Sequence, residues 1–162
     1  MSDLDLPPDT LETDMVKVRT LTPADLDWVV RIDAEHSGLR RRKYYELKLR
    51  EAERDTGIRV SLAASLEGEE AGFLMARLYY GEFGQPEPVA ILDSIAVSRR
   101  HQKRHVGGAL MRQLLMNLRA LGIDQIHTEV DWNQFAMLRF FEKTGFRPAP
   151  RLCLECHVHE PT

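Results

Sequence analysis

The chain has 162 residues, 43% of them apolar and 29% charged, with a formal net charge of −3. That is enough for one domain with a real core, and too acidic for a protein that grips nucleic acid through a broad basic surface. No apolar run approaches the length of about 18 residues that a membrane span needs, and the acidic start, Met1 to Asp9, is unlike a secretory leader. The expected location is therefore cytoplasmic, with no nucleic-acid or membrane partner.

Residues 1–14 are acidic and contain prolines, and are expected to form a flexible arm ahead of a domain spanning 15–162. Met15 to Leu21 alternates as a first strand. Thr22-Pro23-Ala24-Asp25 reads as a helix start, with Thr22 as cap and proline at the first helical position. Leu26, Val29, Val30 and Ile32 form that helix's apolar stripe, and Gly38 ends it. A second helix is expected from about Arg40 to Arg54. Its opening run, Arg40-Arg41-Arg42-Lys43, either faces a cleft that takes an anionic acceptor or is a solvated face paired with Glu46 and Glu51.

Strands are expected at Ile58 to Leu66 and Ala71 to Tyr80, around a turn at Glu67-Gly68-Glu69. The loop Gly81 to Pro88 leads to the strand Val89 to Val97. A basic loop follows, Arg99-Arg100-His101-Gln102-Lys103-Arg104-His105, then Gly107, Gly108 and an apolar-striped helix that stops at Gly122. Strand, basic loop, glycine and helix make a cradle for phosphate groups: the first N–H groups of a helix are unpaired, and glycine lets an oxygen approach them. The bland alternative is close packing of the helix on the sheet beside a solvated loop. A fifth strand is expected at Gln125 to Val130, a helix at Gln134 to Lys143, and a last strand at Arg151 to His159. On such a strand Cys153 and Cys156 would point to opposite faces, so the Cys153-Leu-Glu-Cys156-His157 match to a haem attachment pattern is taken as coincidence.

The cradle, with Asn133-Gln-Phe-Ala136-Met-Leu-Arg-Phe-Phe141-Glu-Lys-Thr-Gly145-Phe146 downstream, resembles the signature of the GNAT superfamily of acyl-CoA-dependent N-acetyltransferases over about residues 15–159. The resemblance implies an α+β, single-domain GNAT-like fold with a mixed, mainly antiparallel sheet flanked by helices. It implies acetyl-CoA as co-substrate, an amine acceptor and no metal. The family loop, Gln/Arg-x-x-Gly-x-Gly/Ala, fits in two registers: Gln102-Lys103-Arg104-His105-Val106-Gly107, with histidine at the first glycine, or Arg104 to Ala109. The first is preferred because it sets Leu110 in line with Leu114, Leu118 and Leu121. His105 then crowds a phosphate oxygen or donates to it.

By the same resemblance Gly108 completes the cradle, and Arg99, Arg100, Lys103 and Arg104 face the phosphates. The strand before the loop splays at a bulge, where Ser94, Ile95, Ala96 and Val97 offer backbone groups to the pantetheine arm. The N–H near Ile95 is then the oxyanion donor. Asn133 hydrogen-bonds the pantetheine or caps the following helix. Phe141 stands where many relatives place a tyrosine beside the leaving sulfur, and it cannot donate a proton. The proton acceptor is expected to be Asp93 first, Glu82 second, and Glu129 or Asp131 third. Two functions stay open, an N-acetyltransferase for a small-molecule or peptide amine and an acyl-CoA-binding module without turnover. Pairing of two copies at a sheet edge is also open.

Overall fold

The computed structural model describes residues 15–54 and 60–159, so the arm at 1–14 and residues 58–59 of the expected second strand lie outside the described residues, while Val60 and Ser61 precede that strand. They form two compact units, one running to Glu129 and one from Val130. The first unit holds a five-stranded sheet in the order β1-β2-β3-β4-β5. The strands are β1 (Val16–Thr20), β2 (Leu62–Leu66), β3 (Glu69–Tyr79), β4 (Val89–Val97) and β5 (Ile126–His127). The first four run antiparallel to their neighbours, and β5 runs parallel to β4. The mixed, mainly antiparallel class is as expected.

Helices α1 (Leu26–Ser37) and α2 (Arg42–Arg54) cover one face of this sheet. Strand alternation sends Phe73 and Met75 to that face, where they join Val29, Val30, Ile32, Tyr45 and Leu49 in a buried cluster. Helix α3 (Val106–Ala120) covers the other face through Val106, Leu110, Met111, Leu114 and Leu118, all buried. Each such leucine contributes about 1.5–3 kcal/mol by leaving water. Gly72 sits where β3 meets both β4 and α3: a Cβ there would lie 2.9 Å from the Ala96 carbonyl oxygen and 3.1 Å from Val106 Cγ1. A glycine inside a strand marks such a close approach.

Three expectations change. Proline does not start α1 directly; Pro23–Asp25 form a separate 3-10 turn before it. Asp25 closes that turn by accepting from the Thr22 N–H at 2.8 Å. The fifth strand is two residues long, because beyond His127 the Thr128 hydroxyl bonds the Leu92 carbonyl (2.9 Å) in place of a backbone ladder. The last strand is not formed among the described residues: none of residues 151–159 pairs with a described strand, and a strand forms only against a neighbouring edge. The two-face argument about the cysteines loses its basis with it. Both are exposed and outside any disulfide, and the described residues contain no metal-binding group of three or more ligating side chains.

In the second unit, α4 (Phe135–Lys143) is the expected helix. Phe141 is buried, with Phe140 at 5.5 Å and Phe146 at 4.9 Å between ring centroids.

Candidate active site

The site is built around a break in β4. Leu92 pairs with Ala76 and Ser94 with Met75, so Asp93 is an extra residue opposite β3. Such a bulge bends its strand and increases the local twist. On the other side β5 pairs with β4 only at Ala90 and Ile91. From Asp93 to Val97, β4 therefore has no strand partner on that side among the described residues, and these residues are half-buried. Ile95, Ala96 and Val97 thus form an apolar slot edged with backbone polar groups. The Val97 carbonyl is the exception, since it already accepts from His36 Nε2 at 2.7 Å.

The β4 slot leads into the loop. Ser98 N–H donates to the Ala71 carbonyl (2.8 Å), and Arg99 N–H donates to Glu35 Oε2 (2.9 Å). With His36, Glu35 makes the end of α1 a clamp on this corner. A 3-10 turn at Arg99–His101 follows, with His101 buried. Lys103 and His105 then adopt left-handed backbone, φ 61° and 64°. His105 is the cap position of α3, and its side chain does not cap. Glycine is the residue that adopts this conformation without strain. The first intrahelical bond is Ala109 N–H to the His105 carbonyl, 3.0 Å, which leaves the N–H groups of Val106, Gly107 and Gly108 without intrahelical partners. A Cβ built at Gly108 meets nothing within 4 Å. The helix dipole adds partial positive charge at the same point.

The loop cations are shared. Arg104 bonds Glu67 at 2.9 Å and Arg100 lies 3.5 Å from Glu69, both acids flanking the β2–β3 turn. The Arg104 hydrogen bond holds the Glu67 carboxyl below its ordinary value. Gln102 and Lys103 are exposed, and Arg104 and His105 half-buried.

On the α1–α2 face of the bulge lies a cleft of about 480 Å³ between α2 and the end of β3. Asp93 borders it, engaged by Arg77 Nε at 3.1 Å and Lys48 Nζ at 4.0 Å. Arg77 also donates to the Tyr79 hydroxyl (2.7 Å). Glu82 stands in an exposed 3-10 turn with no ion-pair partner among the described residues, and Glu129 and Asp131 are exposed as well. Two of the four cations in the run at 40–43 are committed elsewhere. Arg41 binds Asp33 through Nε at 2.9 Å, and Arg42 binds Asp27 at 2.7 Å. Tyr45 donates to the same Asp33 at 2.9 Å. Burial opposes the Asp33 charge, but the Arg41 and Tyr45 hydrogen bonds outweigh it and hold the carboxyl low. Burial, then Asp33, pushes the Tyr45 phenol up. This run fastens α2 to α1.

In the second unit Asn133 is exposed, one residue before the cap position Gln134. Its carbonyl accepts from Phe135 N–H (3.1 Å), so it is not the helix cap.

A slot along an unpaired strand that runs straight into an uncapped, glycine-bearing helix start is suited to an extended ligand ending in phosphates. The acetyltransferase (GNAT) family model matches residues 26–146. The chain belongs to the GNAT family. It is an acyltransferase of that family. No curated protein sequence matches it. Among solved structures, this GNAT chain is similar to a transcriptional regulator from Bacillus halodurans C-125 (21% identity, TM-score 0.72, covering 88% of this chain and 99% of that one). It is also similar to the aminoglycoside N-acetyltransferase AAC(6')-Iy in complex with CoA (15% identity, TM-score 0.73, covering 89% and 95%). A third is the ribosomal-protein-alanine N-acetyltransferase from Brucella melitensis biovar Abortus 2308 (16% identity, TM-score 0.70, covering 89% and 99%). At these identities the likeness is one of fold.

The sequence reading missed the residues that hold the site: Glu35, His36, Arg77, Lys48 and Gly72. Only Gly72 carried a signal, as a glycine opening an apolar strand.

Proposed function

We propose that this GNAT protein moves an acetyl group from acetyl-CoA to a primary amine of a small molecule or peptide, by direct attack in a ternary complex. The observation that carries this reading is the open β4 edge continuing into the uncapped start of α3. Pantetheine amides would pair along Ile95 and Ala96, and the pyrophosphate would meet the N–H groups of Val106, Gly107 and Gly108. Lys103 and Arg104 add charge, Gln102 and His105 offer donors, and Val97 extends the apolar slot. By the family resemblance Asn133 is a further cofactor-binding candidate, and Phe141 packs its own helix.

A primary amine is mostly protonated at neutral pH. Asp93, at the bulge, accepts that proton directly or through water, with Glu82 as second choice. The free lone pair attacks the thioester carbonyl, whose oxygen gains negative charge beside the N–H near Ile95. Collapse breaks the C–S bond and releases the thiolate of coenzyme A, and the extra proton left on the newly acylated nitrogen passes to water or to that thiolate, which leaves a neutral amide. A thiol's pKa of about 8.5 makes that departure feasible without the tyrosine that Phe141 replaces. Two observations favour a second reading, an acyl-CoA-binding module without turnover: Phe141 is no acid, and Asp93 is already paired with Arg77.

Release of coenzyme A from acetyl-CoA with a panel of amines, amino acids and N-terminal peptides tests this directly. Turnover with one acceptor class is the expected result. Tight acetyl-CoA binding with no release across the panel would replace the enzyme reading with the second one.

A further inference from the structure

The β2–β3 hairpin turns on two residues, Glu67 and Gly68, with Leu66 paired to Glu69 across it. Both turn residues are left-handed, φ 54° and 77°. Such a turn favours asparagine followed by glycine, and a glutamate at its first position is sterically disfavoured. The Glu67 carboxylate accepts from Arg104 Nη2 at 2.9 Å. With side chains 57% and 38% exposed, that pair adds little to stability. A disfavoured residue in a weakly stabilising pair points to a use other than stability. Its partner supplies one, because Arg104 lies between Lys103 and His105, the two left-handed residues that lead into α3. The other acid of the turn reaches the earlier part of the same loop. Glu69 Oε2 lies 3.3 Å from Nε2 of the buried His101 and 3.5 Å from Arg100 Nη1. His101 Nδ1 is buried with no hydrogen-bond partner among the described residues, which leaves the Glu69 contact to fix the ring.

We infer that Glu67, supported by Glu69, is a positioning residue of the phosphate cradle: through Arg104, His101 and Arg100 the two acids hold the loop in the shape that leaves the N–H groups of Val106, Gly107 and Gly108 open. This rests on the reading of that helix start as an acetyl-CoA cradle. Left-handed backbone at two non-glycine residues persists only where the surroundings impose it. Glu35 and His36 of α1 fix the β4 end of the loop, through the Arg99 N–H and the Val97 carbonyl. The hairpin acids reach the α3 end. Charge alone argues for the opposite effect, since an anion beside an anion site weakens binding. Here shape outweighs charge: a loop ordered in advance spares the ligand the entropy of ordering it.

The test is Glu67→Asn, which gives the turn its favoured Asn-Gly pair while removing the carboxylate. Should that variant fail to fold, Glu67→Gln, with a side chain of the same length as glutamate, carries the test. In the ligand-free chain, hydrogen exchange is followed at the His101 and Ala109 amides, which donate to the Ser98 and His105 carbonyls at the two ends of the loop. The variant should keep the thermal stability of the unaltered chain and exchange these amides at least about threefold faster. It should also bind acetyl-CoA at least about threefold more weakly in calorimetric titration. Arg104→Gln should speed exchange in the unaltered chain and add nothing in the Glu67→Asn background, since the pair acts as a unit. Unchanged exchange would overturn the inference, and so would unchanged or tighter binding; either would make Glu67 an ordinary surface charge. If the unaltered chain binds no acetyl-CoA, the cradle reading falls instead, and the exchange cycle still decides whether Glu67 holds the loop.

Discussion

On one side of the β4 bulge the candidate site is made of backbone, and on the other of paired side chains. The slot from Ile95 to the start of α3 depends on a strand losing its neighbour and a helix lacking a cap, which many side chains permit. His105 shows this, holding a left-handed position that glycine adopts more easily. The α1–α2 side depends on specific partners: Arg77 and Lys48 on Asp93, Arg41 and Tyr45 on Asp33. A backbone site degrades gradually under substitution, whereas a buried charge that loses one partner loses its whole rationale.

The largest expected effect follows from that contrast. Asp33→Ala leaves a buried phenol and a guanidinium unpaired and should lower unfolding free energy by about 3–4 kcal/mol in chemical denaturation, with acetyl-CoA affinity unchanged at temperatures where the chain is folded. Next, Asp93→Asn should cut kcat about 100-fold with the KM for acetyl-CoA unchanged. Lowered thermal stability with kcat intact would make Asp93 purely a partner for Arg77.

Acid stability isolates Asp25. Burial alone would raise its carboxyl, but the Arg19 guanidinium, the Thr22 N–H and the Trp28 indole bring it down to about 2. Its folded value lies below its unfolded value of about 3.9, so its contribution is complete above that pH and is lost as pH falls toward 2. Asp25→Asn should flatten that part of the stability curve and cost about 2 kcal/mol at neutral pH. The smallest effect concerns His105. Replacement by glycine should leave the chain more stable than replacement by alanine, by about 1 kcal/mol in paired denaturation curves.

Strands β1 to β4 and the three helices of the first unit were legible because each follows from local pattern, alternation or an apolar stripe, while the mixed, mainly antiparallel sheet came with the family resemblance. The Asp93 bulge was anticipated only through the family resemblance. Its partners were not, because Arg77 reaches Asp93 through a register between strands that no local window contains. The cationic run at 40–43 was left between cleft and solvent; Arg42 makes the Glu46 pairing of the solvated reading, and Arg41 and Arg42 also bind Asp33 and Asp27 of α1, which the sequence did not indicate. The last strand failed for a related reason. Alternation in residues 151–158 records what the segment can do, while a strand exists only where an edge receives it.

Calorimetric titration with acetyl-CoA, comparing the unaltered chain with Gly108→Glu, tests the central claim most directly. No neighbour within 4 Å opposes a Cβ at Gly108, so the fold should survive, while a carboxylate would stand where the pyrophosphate is expected. The account predicts saturable binding to the unaltered chain and at least about tenfold weaker binding to the variant, equivalent to about 1.4 kcal/mol. Equal affinity in a folded variant, or no binding by the unaltered chain at millimolar acetyl-CoA, would contradict it.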